Sequence, residues 1–245
     1  MEVGVISGIH AVKEALASGR PLDRVMVVRG AGGARLQEII DLARERGVPV
    51  RFEDRKALDR AAGKANHQGV VAVGTAHRYV ELDDVAPGAE LIVALDGVED
   101  PRNLGAIVRT AEAAGAGAVL IPERRAAGLT ETVARASAGA LAHLPVARTV
   151  NLARALDRLK EKGYWIYGLE AQGAEDYDRV EYLAPTVLVL GGEGRGLRPN
   201  VRKRCDHLVR IPLHGKVSSL NISVAAGVAL FEWRRRKRET EAAGR

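Results

Sequence analysis

One feature constrains the fold of this chain more than any other. Short apolar or β-branched runs alternate with segments of helical spacing, and turns rich in glycine or polar residues join them. Runs at 24–28, 48–52 and 69–73 interleave with helical segments at 34–46 and 55–62. In the first of these helices Leu36, Ile39, Ile40 and Ala43 recur at helical intervals, and Gly47 supplies a stop. The alternation pauses at 79–89, an acidic stretch with Pro87 and Gly88 and little periodicity, which reads as a linker. It resumes with runs at 91–95, 118–121, 165–169, 186–190 and 208–211, and with helical segments near 103–114 and 151–162. A long helix follows from about Ser219. Strands that alternate with helices point to a parallel sheet covered on both faces. The expected class is therefore α/β, with a small α/β domain at 1–78, a larger parallel-sheet domain at 90–238 and a tail at 239–245.

Charge narrows the choice of partner. Among 245 residues, 37 Lys and Arg face 31 Asp and Glu, a net charge of +6, which favours a polyanion. Residues 1–78 carry 13 basic and 9 acidic side chains, and the remainder carries 24 and 22. Five consecutive cations run from Arg234 through Arg235, Arg236 and Lys237 to Arg238. That run reads either as a cationic end to a helix or as a nucleic-acid contact. Aromatic residues make up only 4%, so base-stacking platforms are not expected to dominate. A single cysteine, Cys205, excludes an intramolecular disulfide framework and a four-cysteine zinc site. The six histidines form no ligand-spaced pair on a helix, so no metal is expected. No apolar run approaches the roughly 20 residues that span a bilayer. The first ten residues show no secretory signal, and a cytoplasmic protein is expected.

Three segments carry candidate chemistry. In the first, Asp96 to Gly115, polar residues crowd the turn after an apolar strand, where open α/β sheets bind ligands. Asn103 occupies a helix-capping position, and Arg109 follows six residues on in an otherwise apolar helix. Arg109 is either a surface residue or the partner of a phosphate or alkoxide. The second, Val187 to Leu197, runs an apolar strand into Gly191, Gly192, Gly194 and Gly196, with Glu193 and Arg195 between them. Glycines let backbone groups approach a ligand closely. The spacing is neither G-x-G-x-x-G nor a P-loop, so dinucleotide and Walker-type sites are unsupported. The third, Ile211 to Glu232, passes from a strand through a glycine loop into a helix that Ser218 or Ser219 can cap. Beyond Asn221 that helix is apolar nearly all round and should be buried on several sides.

In this order and spacing the three segments resemble the SpoU family of RNA 2′-O-methyltransferases. The family patterns are approximately N-x-G-x-x-x-R, G-x-E-x-x-G and I-P-M-x-G-x-x-x-S-L-N-x-S-x-A. The chain matches each, with Leu213 in place of the usual Met. The resemblance covers about residues 89–235 and implies a deep trefoil knot, which alternation alone could never reveal. It implies S-adenosylmethionine as cofactor and a homodimer. Carried over by position, it implies catalytic roles for Asn103, Arg109, Glu193, Ser219 and Asn221. It likewise implies a cofactor frame from Gly191, Gly192, Glu193, Gly194, Ile211, Leu213 and Leu220. The segments 7–16 and 66–72 resemble the ribosomal-protein-like substrate-binding domain of one branch, which methylates a guanosine in 23S ribosomal RNA. On that resemblance His10, Lys13, His67 and Gln68 are expected RNA contacts, and the cationic run adds Arg234, Arg235 and Arg236 on charge alone. A transfer-RNA target or a non-catalytic RNA scaffold are the alternatives.

Overall fold

A computed structural model of the chain describes residues 4–63, 65–74, 78–192 and 196–243. By its internal contacts the chain divides into two compact units, Met1–Arg78 with Gly128–Glu131, and Tyr79–Ala127 with Thr132–Arg245.

The first unit is a mixed four-stranded sheet with helices on both faces. In chain order it runs β1 (Val5–Ser7), α1 (Ile9–Ala17), β2 (Leu22–Val28), α2 (Ala34–Glu45), β3 (Val50–Glu53), α3 (Arg55–Ala62) and β4 (Val70–Gly74). The strand order is β1-β4-β2-β3. Only β2 and β3 pair in parallel; β4 runs antiparallel to both its neighbours. Side chains alternate across a strand, so Val25 and Val27 face one way and Met26 the other. The first face packs under α1 and α2, through Val12, Leu16, Ile39 and Ile40. The second packs against Leu58 of α3, whose first turn is capped by the Asp54 carboxylate at 2.7 Å from the Ala57 amide.

The second unit is built from α4 (Leu82–Val85), β5 (Leu91–Asp96), α5 (Pro101–Ala113), β6 (Ala118–Pro122), α6 (Glu131–Ala136), β7 (Val146–Thr149), α7 (Leu152–Glu161), β8 (Trp165–Leu169), β9 (Glu175–Asp176), β10 (Thr186–Gly191), α8 (Pro199–Arg202), β11 (His207–Arg210) and α9 (Ile222–Ala243). Its seven strands pair in parallel throughout, in the order β7-β6-β5-β10-β8-β11-β9. Every residue of β5 and β6 is buried, as a sheet covered on both faces requires. On one face Ile92, Ala94, Val187 and Val189 meet Leu152, Leu156 and Leu159 of α7. On the other, α9 packs on α5 and β10.

Three details differ from the sequence reading. Residues 79–89 are not a free linker: Leu82, Ala86 and Ala89 are buried in the core of the second unit. The Tyr164 hydroxyl lies 2.5 Å and 2.6 Å from the carbonyls of Ala86 and Ala89, which fixes the segment further. Asn103 does not cap α5; Asp100 does, accepting from the Arg102 amide at 2.8 Å, with Pro101 opening the helix. Finally, α9 is buried along one stripe only. Ile222, Ala226, Ala229, Leu230 and Trp233 face inward, while Val224 and Phe231 are each 51% exposed.

Candidate cofactor and active site

Two strands adjacent in the sheet but distant in sequence, β5 and β10, end side by side, with Asp96 in register with Gly191. From this pair the sheet continues to β6 and β7 on one side and to β8, β11 and β9 on the other. The loops that leave such neighbouring strands part in opposite directions and open a crevice above the strand ends. A cavity of about 560 Å³ lies on the β8 side of this pair, at the carboxyl ends of β8, β10 and β11, within the rough 300–1,000 Å³ range of small-molecule sites.

Gly191, Gly192, Ile211, Leu213, Ser219, Leu220 and Asn221 line this cavity. The sequence reading therefore gathered at one place residues that the chain holds far apart. Glu193 and Gly194 lie outside the described residues. A Cβ on Gly191 would stand 2.3 Å from the Gly196 carbonyl carbon, and one on Gly192 would stand 2.6 Å from the Gly97 carbonyl oxygen. Both obstacles are backbone, so neither position accepts a side chain. Gly192 and Gly196 bridge to each other, and at Gly191, Gly192 and Gly196 no side chain stands between the backbone and whatever fills the cavity.

At the mouth, Asn221 rather than Ser218 or Ser219 starts α9. Its Oδ1 accepts from the Ser223 amide at 2.8 Å and from the Ser223 hydroxyl at 2.6 Å. That orientation turns its Nδ2 towards Asn103, whose Oδ1 accepts at 3.1 Å. Asn103 is buried in the first turn of α5, so the first and third sequence segments meet through paired amides. Arg109 is not brought to the cavity wall. It sits exposed on α5, roughly 9 Å along the helix from Asn103, with no hydrogen bond or ion pair among the described residues.

Two carboxylates went unnoticed in the sequence. Asp96 is 2% exposed; it accepts from the Arg198 amide at 2.7 Å and forms an ion pair with the Arg198 guanidinium. It thereby ties the far end of the glycine loop to β5. Glu170, directly after β8, lines the cavity and accepts from Arg202 Nε at 2.8 Å. Asp96, the last residue of β5, has no local pattern to announce it. For Glu170 a carboxylate placed directly after an apolar strand was the available signal.

The expected RNA contacts fare unevenly. His10 is exposed on the first turn of α1. Gln68 is exposed with φ 48°, and its Oε1 accepts from the Ile9 amide at 3.4 Å. Lys13 is ion-paired to Glu38 at 2.5 Å. His67 is a correction: it is 3% exposed, its Nδ1 accepts from the Gly69 amide at 3.0 Å, and its Nε2 donates to Asp59 at 2.9 Å. Both ring nitrogens are engaged within the unit, leaving none for RNA. The basic run is engaged within the second unit. Arg234 donates to the Ala114 carbonyl at 2.7 Å, at the carboxyl end of α5. Arg235 and Arg236 both pair with Glu232, and Lys237 donates to Glu90 at 3.1 Å.

Comparison with known proteins agrees with this architecture. Residues 90–231 match the model of the SpoU rRNA Methylase family, and residues 5–80 match that of RNA 2'-O ribose methyltransferase substrate binding. YacO of Bacillus subtilis (strain 168), a protein carrying a TrmH family tRNA/rRNA methyltransferase name, is 44% identical over 238 residues, covering 95% of each chain. A Staphylococcus haemolyticus protein of the same family name is 42% identical over 245 residues, covering 98% of each. Among solved structures, an AdoMet-bound rRNA methyltransferase from Sinorhizobium meliloti superposes with a TM-score of 0.60 at 30% identity, covering 95% of this chain and 87% of that one. The SpoU methyltransferase AviRb from Streptomyces viridochromogenes, in complex with AdoMet, gives 0.62 at 25% identity, covering 96% and 90%. With the glycine cradle, the paired asparagines and both family models in agreement, the chain belongs to the SpoU family of RNA methyltransferases.

Proposed function

We propose that this protein transfers the methyl group of S-adenosylmethionine to a ribose 2′-hydroxyl of RNA, the target being a guanosine of 23S ribosomal RNA. The observation that carries the reading is the glycine-lined cavity at the carboxyl ends of β8, β10 and β11, with the Asn103–Asn221 pair at its mouth. The cavity suits the cofactor, because positions 191 and 192 exclude side chains and leave peptide groups for an adenosyl ligand. Support for an RNA substrate comes from the net charge of +6 and the match of residues 5–80 to a substrate-binding family.

Gly191, Gly192, Ile211, Leu213 and Leu220 would hold the cofactor, together with Glu193 and Gly194 by their place in the family pattern. When bound, S-adenosylmethionine supplies an electrophilic methyl group on a sulfonium that leaves without acid assistance. What remains for the protein is to place the hydroxyl in line and to stabilise its oxygen as the proton departs. Asn103, Ser219 and Asn221 orient the ribose at the mouth. Arg109 grips the adjoining phosphate and the developing alkoxide; guanidinium stays charged in proteins, so it acts electrostatically rather than as a base. Glu193 holds Arg109 or the loop. His10 and Gln68, exposed on the first unit, remain RNA contacts in this reading.

The family's homodimer and trefoil knot belong to the same reading. Val224 and Phe231 give α9 an exposed apolar stripe for a second copy. The return of α9 onto α5 and β10 brings residues 211–221 beside the glycine turn.

The test incubates the protein with radiolabelled S-adenosylmethionine and separate 23S ribosomal and transfer RNA transcripts, then maps the label. Label on one guanosine ribose of 23S RNA is the expected result. Label on a base, or on transfer RNA alone, overturns the assignment. Arg109→Ala should lower kcat by about a hundredfold or more, the usual cost of losing a transition-state charge contact. Because Arg109 stands clear of the cavity wall, cofactor affinity measured by titration calorimetry should not change. Near-normal turnover would remove Arg109 from the mechanism.

A further inference from the structure

Glu170 is the acidic side chain among the described residues lining the cavity, and neither fold nor stability explains it. It follows the last residue of β8, and its amide donates to the Val209 carbonyl at 2.9 Å, which fixes the backbone at the lip of the crevice. Its side chain is 19% exposed, while that of its partner Arg202 is 49% exposed. A half-exposed ion pair of this kind contributes little to stability. The pair nonetheless fixes the carboxylate: Arg202 holds Oε2 at 2.8 Å. The other oxygen, Oε1, lies 3.6 Å from where a Cβ on Gly196 would stand, beside the glycine turn. It has no hydrogen-bond partner among the described residues.

An oriented carboxylate oxygen wants donors. A second cation is a poor complement, since Arg202 already offsets the charge. Neutral hydroxyls are a good one, because a carboxylate accepts from adjacent O–H groups in short, charge-assisted bonds. The cofactor carries one such pair, the vicinal hydroxyls of its ribose.

We propose that Glu170 is the ribose receptor of the cofactor cavity, its Oε1 accepting from the 2′- and 3′-hydroxyls of the adenosyl group while Arg202 holds Oε2. The proposal rests on the reading that this cavity holds S-adenosylmethionine. Glu170 is then a cofactor-binding residue outside the three sequence segments.

The test uses the full-length protein and titration calorimetry with S-adenosylhomocysteine and its 2′-deoxy and 3′-deoxy analogues. The wild type should bind the deoxy analogues about tenfold or more weakly, as expected for a hydrogen bond to a charged group. Glu170→Ala should bind the parent compound more weakly by a similar factor and no longer distinguish it from the analogues. Glu170→Gln keeps the shape and guards against a folding defect, with melting temperature as the control; it should lose most of the same discrimination. In turnover, both variants should raise KM for S-adenosylmethionine with little change in kcat, the signature of uniform binding. A wild type indifferent to the hydroxyls, or variants that keep the full wild-type discrimination, would overturn the proposal. Failure of the wild type to bind S-adenosylhomocysteine at all would overturn the cavity reading, and this proposal with it.

Discussion

At the scale of single residues, the side chain that does most to shape the site touches no part of the cavity wall. Asp96 has no side-chain exposure and collects three donors of Arg198, the backbone amide, Nε and an Nη. A buried carboxylate so engaged cannot be exchanged for an amide without cost, because the new NH2 faces a guanidinium with nothing to accept it. Asp96→Asn should therefore lose about 3 kcal/mol, the low end for breaking a buried pair, since the Arg198 side chain is 35% exposed. Cofactor affinity should fall with it, because the Gly191–Gly196 turn is tethered through Arg198. Urea unfolding and calorimetry on the same preparation measure both effects, and an unchanged midpoint with unchanged binding would refute the tether. Nothing local in the sequence singled out Asp96 from Glu99 or Asp100. Its partner lies 102 residues away, beyond the reach of any spacing argument. Gly191 and Gly192 were legible for the opposite reason: a run of glycines after an apolar strand is a local signal, even though what crowds Gly192 is Gly97 on the neighbouring strand's loop.

At the scale of elements, α9 and α5 form a joint that charge counting alone misreads. Arg234 donates Nε to the Ala114 carbonyl and Nη2 to the Gly115 carbonyl, at the carboxyl end of α5. A cation there meets the negative pole of the helix and acceptors without intrahelical partners. Arg234→Ala should consequently lower stability by about 1 kcal/mol, read as a drop in melting temperature. Replacing Arg234, Arg235 and Arg236 together by Gln should leave the salt dependence of RNA binding unchanged. If the three arginines gripped phosphates, the slope of log affinity against log salt would flatten by about two units or more. Fluorescence anisotropy across a salt series separates the outcomes, and a flattened slope would return the run to the RNA interface. The sequence placed most strands and helices, α3 and β8 to the residue, but missed the starts of α5 and α9, since such ends are set by tertiary partners. Asp100 and Asn103 are both capable caps, and the neglected clue was Pro101 at the first helical position. Ser218, Ser219 and Asn221 compete in the same way, and the bond to Asn103 favours the last of them. The short strands β1, β7 and β9 were missed because so few residues carry no period.

At the scale of the whole molecule, alternation alone foretold a parallel sheet but could not foretell that β10 would lie between β5 and β8, since pairing order is not written in periodicity. Nor could it place residues 79–89. Their breakers suggested a linker, yet Leu82, Ala86 and Ala89 fill one side of the second core. The consequence is a testable boundary. A fragment of residues 79–245 keeps that core intact and should fold, bind S-adenosylhomocysteine as the full chain does, and methylate ribosomal RNA poorly. A fragment of residues 90–245 loses those three side chains and the carbonyls of Ala86 and Ala89, stripping the Tyr164 hydroxyl of both those acceptors over an opened cavity. Large losses of buried apolar contacts typically cost about 2–5 kcal/mol each, so this shorter fragment should melt far lower or aggregate. Circular dichroism melts of the two fragments test the boundary, and equal stability would make residues 79–89 dispensable. Methylation assays with the longer fragment test the first unit: if it modifies 23S RNA as efficiently as the full chain, then residues 1–78 do not read the substrate, and recognition must lie on the second unit.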